Sequence, residues 1–234
     1  MQWIHAADYT DMSLKAAELV AALVQRGDRC VLGLPTGKTP LGLYRELAAR
    51  RLDWRGVATF NLDEYVGLSP EHPASFRSFM RRNLFDLCAQ PPRWAIPDGS
   101  APDLTAECLR YEAALAEAGP IDLLILGLGR NGHIGFNEPG SPLDSATRVV
   151  TLSAETRAVN RSDFPADEAV PARAITMGIG TMLKARRILL LAGGAEKAPA
   201  LAAALSGPVT PAVPASALQL HPDVIVLADA AASG

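Results

Sequence analysis

Residues 121–128 (IDLLILGL) are apolar at nearly every position and run directly into a glycine-rich loop. A strand that is apolar on both faces must be covered on both faces, as a central strand of a helix-flanked parallel sheet is. Residues 187–192 (RILLLA) and 223–228 (DVIVLA) repeat that character. Shorter buried strands are predicted at residues 30–34 and 58–62, and the first strand begins almost at Met1. Between them, helical spacing predicts helices over residues 11–25, 75–87, 104–117 and 197–205. Thr39-Pro40 predicts another, reading as an N-cap followed by proline at the first helical position.

Alternation of strands and helices over 234 residues predicts one α/β domain, residues 1–234. Its mostly parallel, open sheet is flanked by helices in a Rossmann-like manner. The formal charge of −3 gives no electrostatic case for nucleic acid. No run of about 18 apolar residues is present, so no membrane-spanning helix is predicted. The start, Met1-Gln2-Trp3-Ile4-His5, lacks the pattern of a signal peptide. Cys30, Cys88 and Cys108 are odd in number and widely spaced, which fits reduced thiols and a cytoplasmic protein. A homo-oligomer is compatible with the sequence but is not specified by it.

Three polar or glycine-rich segments begin where apolar strands end, and ligands of open parallel sheets bind at that end. The first holds Gly33, Thr36, Gly37, Lys38 and Thr39. Strand, glycine turn and helix start form an anion site from free N–H groups. A nucleotide P-loop is excluded, because Leu32 stands where its first glycine belongs. The second segment contains Asp63 and Glu64. Neighbours in an extended chain face opposite ways, so one can serve as a base while the other is a structural acceptor. The third surrounds His133 with Gly129, Gly132 and Gly135 and continues to Glu138, placing a proton-transfer group where backbone and ligand can approach closely. A weaker fourth segment, residues 193–197, ends in Lys197, which could meet a phosphate as a point charge.

Leu34-Pro35-Thr36-Gly37-Lys38-Thr39-Pro40, Phe60-Asn61-Leu62-Asp63-Glu64-Tyr65-Val66-Gly67-Leu68, Asn131-Gly132-His133-Ile134-Gly135-Phe136-Asn137-Glu138-Pro139 and Leu218-Gln219-Leu220-His221 occur in this order. Together they resemble the glucosamine-6-phosphate deaminases along nearly the whole chain. The resemblance implies deamination of a sugar phosphate, with Asp63 as the base at carbon 2 and His133 assisting ring opening. Asn131 and Glu138 would hold the histidine. Thr36, Gly37, Lys38, Thr39 and Lys197 would grip the phosphate, together with Arg161, or Arg157 as the alternative. No cofactor and no metal is implied. The chain departs from the family pattern at Asn131, where many members have aspartate, at Lys38, where glycine is commoner, and at Arg161-Ser162, which reverses the usual order. The alternatives are a lactonase-like hydrolase on the same fold, which Asp63-Glu64 disfavours, and a non-enzymatic sugar-phosphate sensor.

Overall fold

The structure is a computed structural model and describes residues 1–233. Among these, seven strands form one parallel sheet: β1 (Gln2–Ala6), β2 (Cys30–Leu34), β3 (Val57–Asn61), β5 (Arg93–Ala95), β6 (Leu123–Gly127), β9 (Ile188–Ala192) and β10 (Val224–Asp229). Their order is β1-β10-β9-β6-β2-β3-β5. A second, antiparallel sheet of order β4-β8-β7 is built from β4 (Asp63–Tyr65), β7 (Arg148–Thr151) and β8 (Arg173–Thr176). The helices are α1 (Tyr9–Val24), α2 (Leu41–Ala49), α3 (Phe76–Asn83), α4 (Leu104–Ala118), α5 (Ala154–Asn160), α6 (Ile179–Met182), α7 (Ala198–Ser206) and α8 (Ala230–Ser233). The predicted α/β architecture is therefore present. No helix among the described residues is long and apolar enough to cross a membrane.

Successive residues of the central strands divide between two cores, as the two-residue strand period requires. Leu124, Leu126 and Leu190 pack with Tyr111 and Leu115 of α4 and Leu201 of α7. Leu123, Ile125 and Leu189 pack on the other side with Val20 of α1, Leu43 and Leu47 of α2, and Met80 of α3. The chain runs outward from β2 through β3 to β5, and in the other direction from β6 through β9 to β10. The β2/β6 pair is thus the switch point of the sheet, where connections diverge and leave a crevice beyond the strand ends.

The small sheet was not legible in the sequence. Its three- and four-residue strands carry no usable periodicity, and their partners are far apart in the chain. It lies over a separate aromatic cluster in which Tyr65 packs against Phe76, Phe136 and Phe164. The helix starts are also refined. Asp8 caps α1 by accepting from Asp11 N–H (2.9 Å), so that helix begins before the predicted Asp11. Thr39 is not the cap of α2: Pro40 holds that position, and no side chain caps the helix.

Glu64 is the joint between the sheet system and α3. It is buried, and its carboxylate accepts from the N–H groups of Tyr65 (2.8 Å), Phe76 (3.0 Å) and Arg77 (3.0 Å). Burial raises its pKa, while those three donors hold the rise back. Glu64→Ala would leave first-turn donors of α3 unpaired, and we expect a loss of roughly 2–4 kcal/mol in unfolding free energy. Glu64→Gln, which keeps an acceptor there, should lose less; urea denaturation at unchanged m-value measures both.

Candidate active site

The β2, β3, β6 and β9 strands end side by side and deliver the segments singled out in the sequence to one edge of the sheet. Asp63 is separated from the end of β3 by Leu62 alone and begins the small sheet, where its partner is Thr176, which in turn pairs with Arg148. Asp63 is 5% exposed. Burial, then the charge of Glu64, pushes its carboxyl up to about 8, and the Phe136 N–H opposes the rise. That N–H also donates to Thr176 Oγ1 at 3.2 Å. Gly135 makes the close approach possible. Its φ is +55°, and a Cβ there would lie 3.3 Å from Asp63 Oδ2 and 3.2 Å from Thr176 Oγ1.

His133 stands in the loop after β6. Its Nδ1 lies 2.7 Å from Asn131 Oδ1, and Asn131 Nδ2 donates to Glu138 Oε2 at 3.1 Å. An amide bound to a carboxylate through its nitrogen turns its oxygen to the imidazole, so Nδ1 carries the proton and Nε2 keeps its lone pair. Burial holds the imidazole below its ordinary pKa; the charge of Glu138 opposes this and that of Lys197 assists it. Glu138 is held in turn by the hydroxyls of Thr156 and Ser153. Gly129 admits the ring, because a Cβ there would come within 2.2 Å of Nδ1. Glu138 therefore acts on His133 through Asn131 and not by direct contact. Asn137 braces the same loop from below: its amide nitrogen donates to the Ile134 and Met177 carbonyls, and its oxygen accepts from Arg148 (2.8 Å).

The residues expected at the phosphate are divided. Thr36, Gly37, Lys38 and Thr39 form the turn after β2, with Gly37 at φ +90° and Lys38 exposed. A Cβ on Gly127 would lie 3.8 Å from Thr39 Cβ, so this turn abuts the end of β6. Lys197 closes the turn after β9; burial lowers its pKa, and its charge reaches His133. Arg161 is directed elsewhere. Its guanidinium donates to the carbonyls of Phe164 (3.1 Å), Pro165 (2.8 Å) and Ala166 (2.6 Å), which closes a turn and leaves it no part in the cluster. Arg157 is exposed in the last turn of α5.

Sequence reasoning missed Ser153, Thr156 and Asn137. Ser153 had a signal, since Ser-Ala-Glu opens a helix as an N-cap does, and it accepts from Thr156 N–H at 3.1 Å. Among the described residues, no group of three or more His, Cys, Asp or Glu could hold a metal ion.

A parallel α/β sheet with an acid and an imidazole at its switch point, beside a cationic rim, defines a class of sugar-phosphate proteins. The family model described as glucosamine-6-phosphate isomerases/6-phosphogluconolactonase matches residues 7–226, and the chain belongs to that family. Within it the chain is 49% identical to a glucosamine-6-phosphate deaminase of Geobacillus sp. (strain WCH70), over 98% of this chain and 93% of that one. It is 52% identical to one of Hahella chejuensis, over 91% and 83%. A solved monomeric glucosamine-6-phosphate deaminase is 45% identical and superposes with a TM-score of 0.95, covering 100% of this chain and 99% of its own. A 6-phosphogluconolactonase from Thermotoga maritima shares the fold alone, at 22% identity and a TM-score of 0.78 over 97% and 98%.

Two outcomes follow from this electrostatics. Folded Asp63 keeps its proton up to about 8, whereas the unfolded carboxyl loses it near 3.8. Between those values the native state binds more protons, so stability falls as pH rises. Asp63→Asn, which never ionises, should therefore raise Tm over the parent at pH 8, with the gain vanishing near pH 4. Asn131→Asp should raise the His133 pKa by placing a charge at 2.7 Å, as an imidazole NMR titration would show.

Proposed function

We propose that the chain deaminates glucosamine 6-phosphate with water, giving fructose 6-phosphate and ammonia. The observation that carries this reading is the pairing of a buried, high-pKa carboxylate with a neutral imidazole whose Nε2 is free. The deaminase relatives at nearly half identity over the whole chain support it.

In this reading Nε2 of His133 takes the proton of the anomeric hydroxyl and returns it to the ring oxygen, opening the sugar. Asp63, as carboxylate, then removes the proton from carbon 2 and delivers it to carbon 1. As the base takes the carbon 2 proton, an ammonium proton passes to the carbon 1 oxygen and the enolamine forms; delivery to carbon 1 then gives a protonated imine at carbon 2. Water adds to that imine, and ammonia leaves. A carbon acid is a poor proton donor, and a base with a pKa near 8 is better matched to it than one near 4. The substrate's ammonium at carbon 2 favours the ionised form of Asp63 once bound. The phosphate does not react; gripped by residues 36–39 and Lys197, it positions carbon 2 over the base. The reaction calls on no cofactor.

Incubation with glucosamine 6-phosphate should release fructose 6-phosphate and ammonia in equal amounts. Asp63→Asn should lower turnover by about two to four orders of magnitude, the range for a positioned base, and should abolish solvent exchange of the carbon 2 proton. Turnover and exchange at parental rates in that variant would remove Asp63 from the role. Absence of ammonia with the parent would remove the reaction itself.

A further inference from the structure

We propose that Arg130, a residue of the glycine-rich loop after β6 to which the motifs assign no role, is the guanidinium that binds the substrate phosphate. The inference rests on the sugar-phosphate reading above and names a ligand for its anionic end.

The argument begins with strand order. β9, β6 and β2 are consecutive in the sheet, with β6 in the middle. Neighbouring strands lie about 4.8 Å apart, so the turns at their ends are also neighbours. The outer two carry Lys197 and Lys38, and the middle one carries Arg130, three residues past the end of β6. Thr39 abuts Gly127, which draws the β2 turn towards the base of the Arg130 loop. On the other side, the charge of Arg130 reaches Lys197 and lowers its pKa. The ion pairs among the described residues employ other cations throughout. Three cations on adjacent turns, in a protein of net charge −3, repel one another until a multivalent anion joins them.

A guanidinium suits the middle position, because its planar fork can give two parallel N–H bonds to a phosphate where an ammonium gives a point charge. Arg161 has its donors committed to three carbonyls. Arg130 has no hydrogen bond from its side chain among the described residues and is exposed at the loop tip, so nothing has to break for it to bind. It directly precedes Asn131 and lies three residues before His133, yet its side chain takes no part in their hydrogen bonds.

The test compares Arg130→Ala, Arg130→Lys and Arg161→Ala by calorimetric binding of inorganic phosphate and of fructose 6-phosphate, together with steady-state kinetics. Arg130→Ala should weaken both ligands and raise KM by about ten- to a hundredfold, with kcat changing much less. Arg130→Lys should recover part of the loss, and Arg161→Ala should keep phosphate affinity within about twofold. Phosphate affinity unchanged in Arg130→Ala overturns the proposal. So does a loss confined to Arg161→Ala. If the parent binds phosphate through Arg130 yet releases no ammonia from glucosamine 6-phosphate, the deaminase reading fails and this assignment stands.

Discussion

The structure around the site depends on keeping one carboxyl group, that of Asp63, out of water. Isolated carboxylates are strongly disfavoured in such surroundings, and Asp63 has no cation within pairing distance among the described residues to compensate. Its single favourable neighbour is a backbone N–H, that of Phe136, and its other close charge is the carboxylate of Glu64. The small sheet, Thr176 and the Cβ-free Gly135 enclose it on the remaining sides. A group held this way costs stability at neutral pH, and that cost is what makes it a stronger base than an ordinary aspartate.

The adjacent Glu64 shows the opposite use of the same chemistry. Both carboxyls are buried at the end of one strand, and the extended backbone turns them to opposite sides. Glu64 meets the N–H of Tyr65 and two N–H donors at the start of α3 and fastens the helix; Asp63 meets one and stays reactive. His133 is tuned by a comparable division. Asn131 fixes the proton on Nδ1 without adding charge, and Glu138, with Thr156 and Ser153 behind it, fixes Asn131. Asparagine at position 131 thus preserves the tautomer while leaving the imidazole neutral, as transfer through Nε2 requires.

Much of this was legible in the residues. An apolar run such as residues 121–128 can only be a covered strand, and glycine-rich turns after such strands mark the functional edge of a parallel sheet. The opposed roles of Asp63 and Glu64 followed from the strand period, although which was which did not. The sequence concealed whatever depended on distant partners. β4, β7 and β8 are short, and they exist because β8 pairs both with β7 and with β4, which lies more than a hundred residues earlier in the chain. Arg161 has the right chemistry for a phosphate but is held by the carbonyls of its own turn. Thr39 has the right chemistry for a cap, yet Pro40 takes that position. Arg130 was given no role because the glycines and His133 accounted for its loop; the order of β9, β6 and β2 places it between two lysines.

The central claim is that Asp63 titrates far above an ordinary aspartate in the free protein. Carbon-13 NMR of the side-chain carboxyl, assigned by the signal missing from Asp63→Asn, measures it directly across pH 3 to 10. A midpoint at about 8 is expected. A midpoint near 3.8 would mean that the carboxylate is solvated and that the burial described here does not govern it.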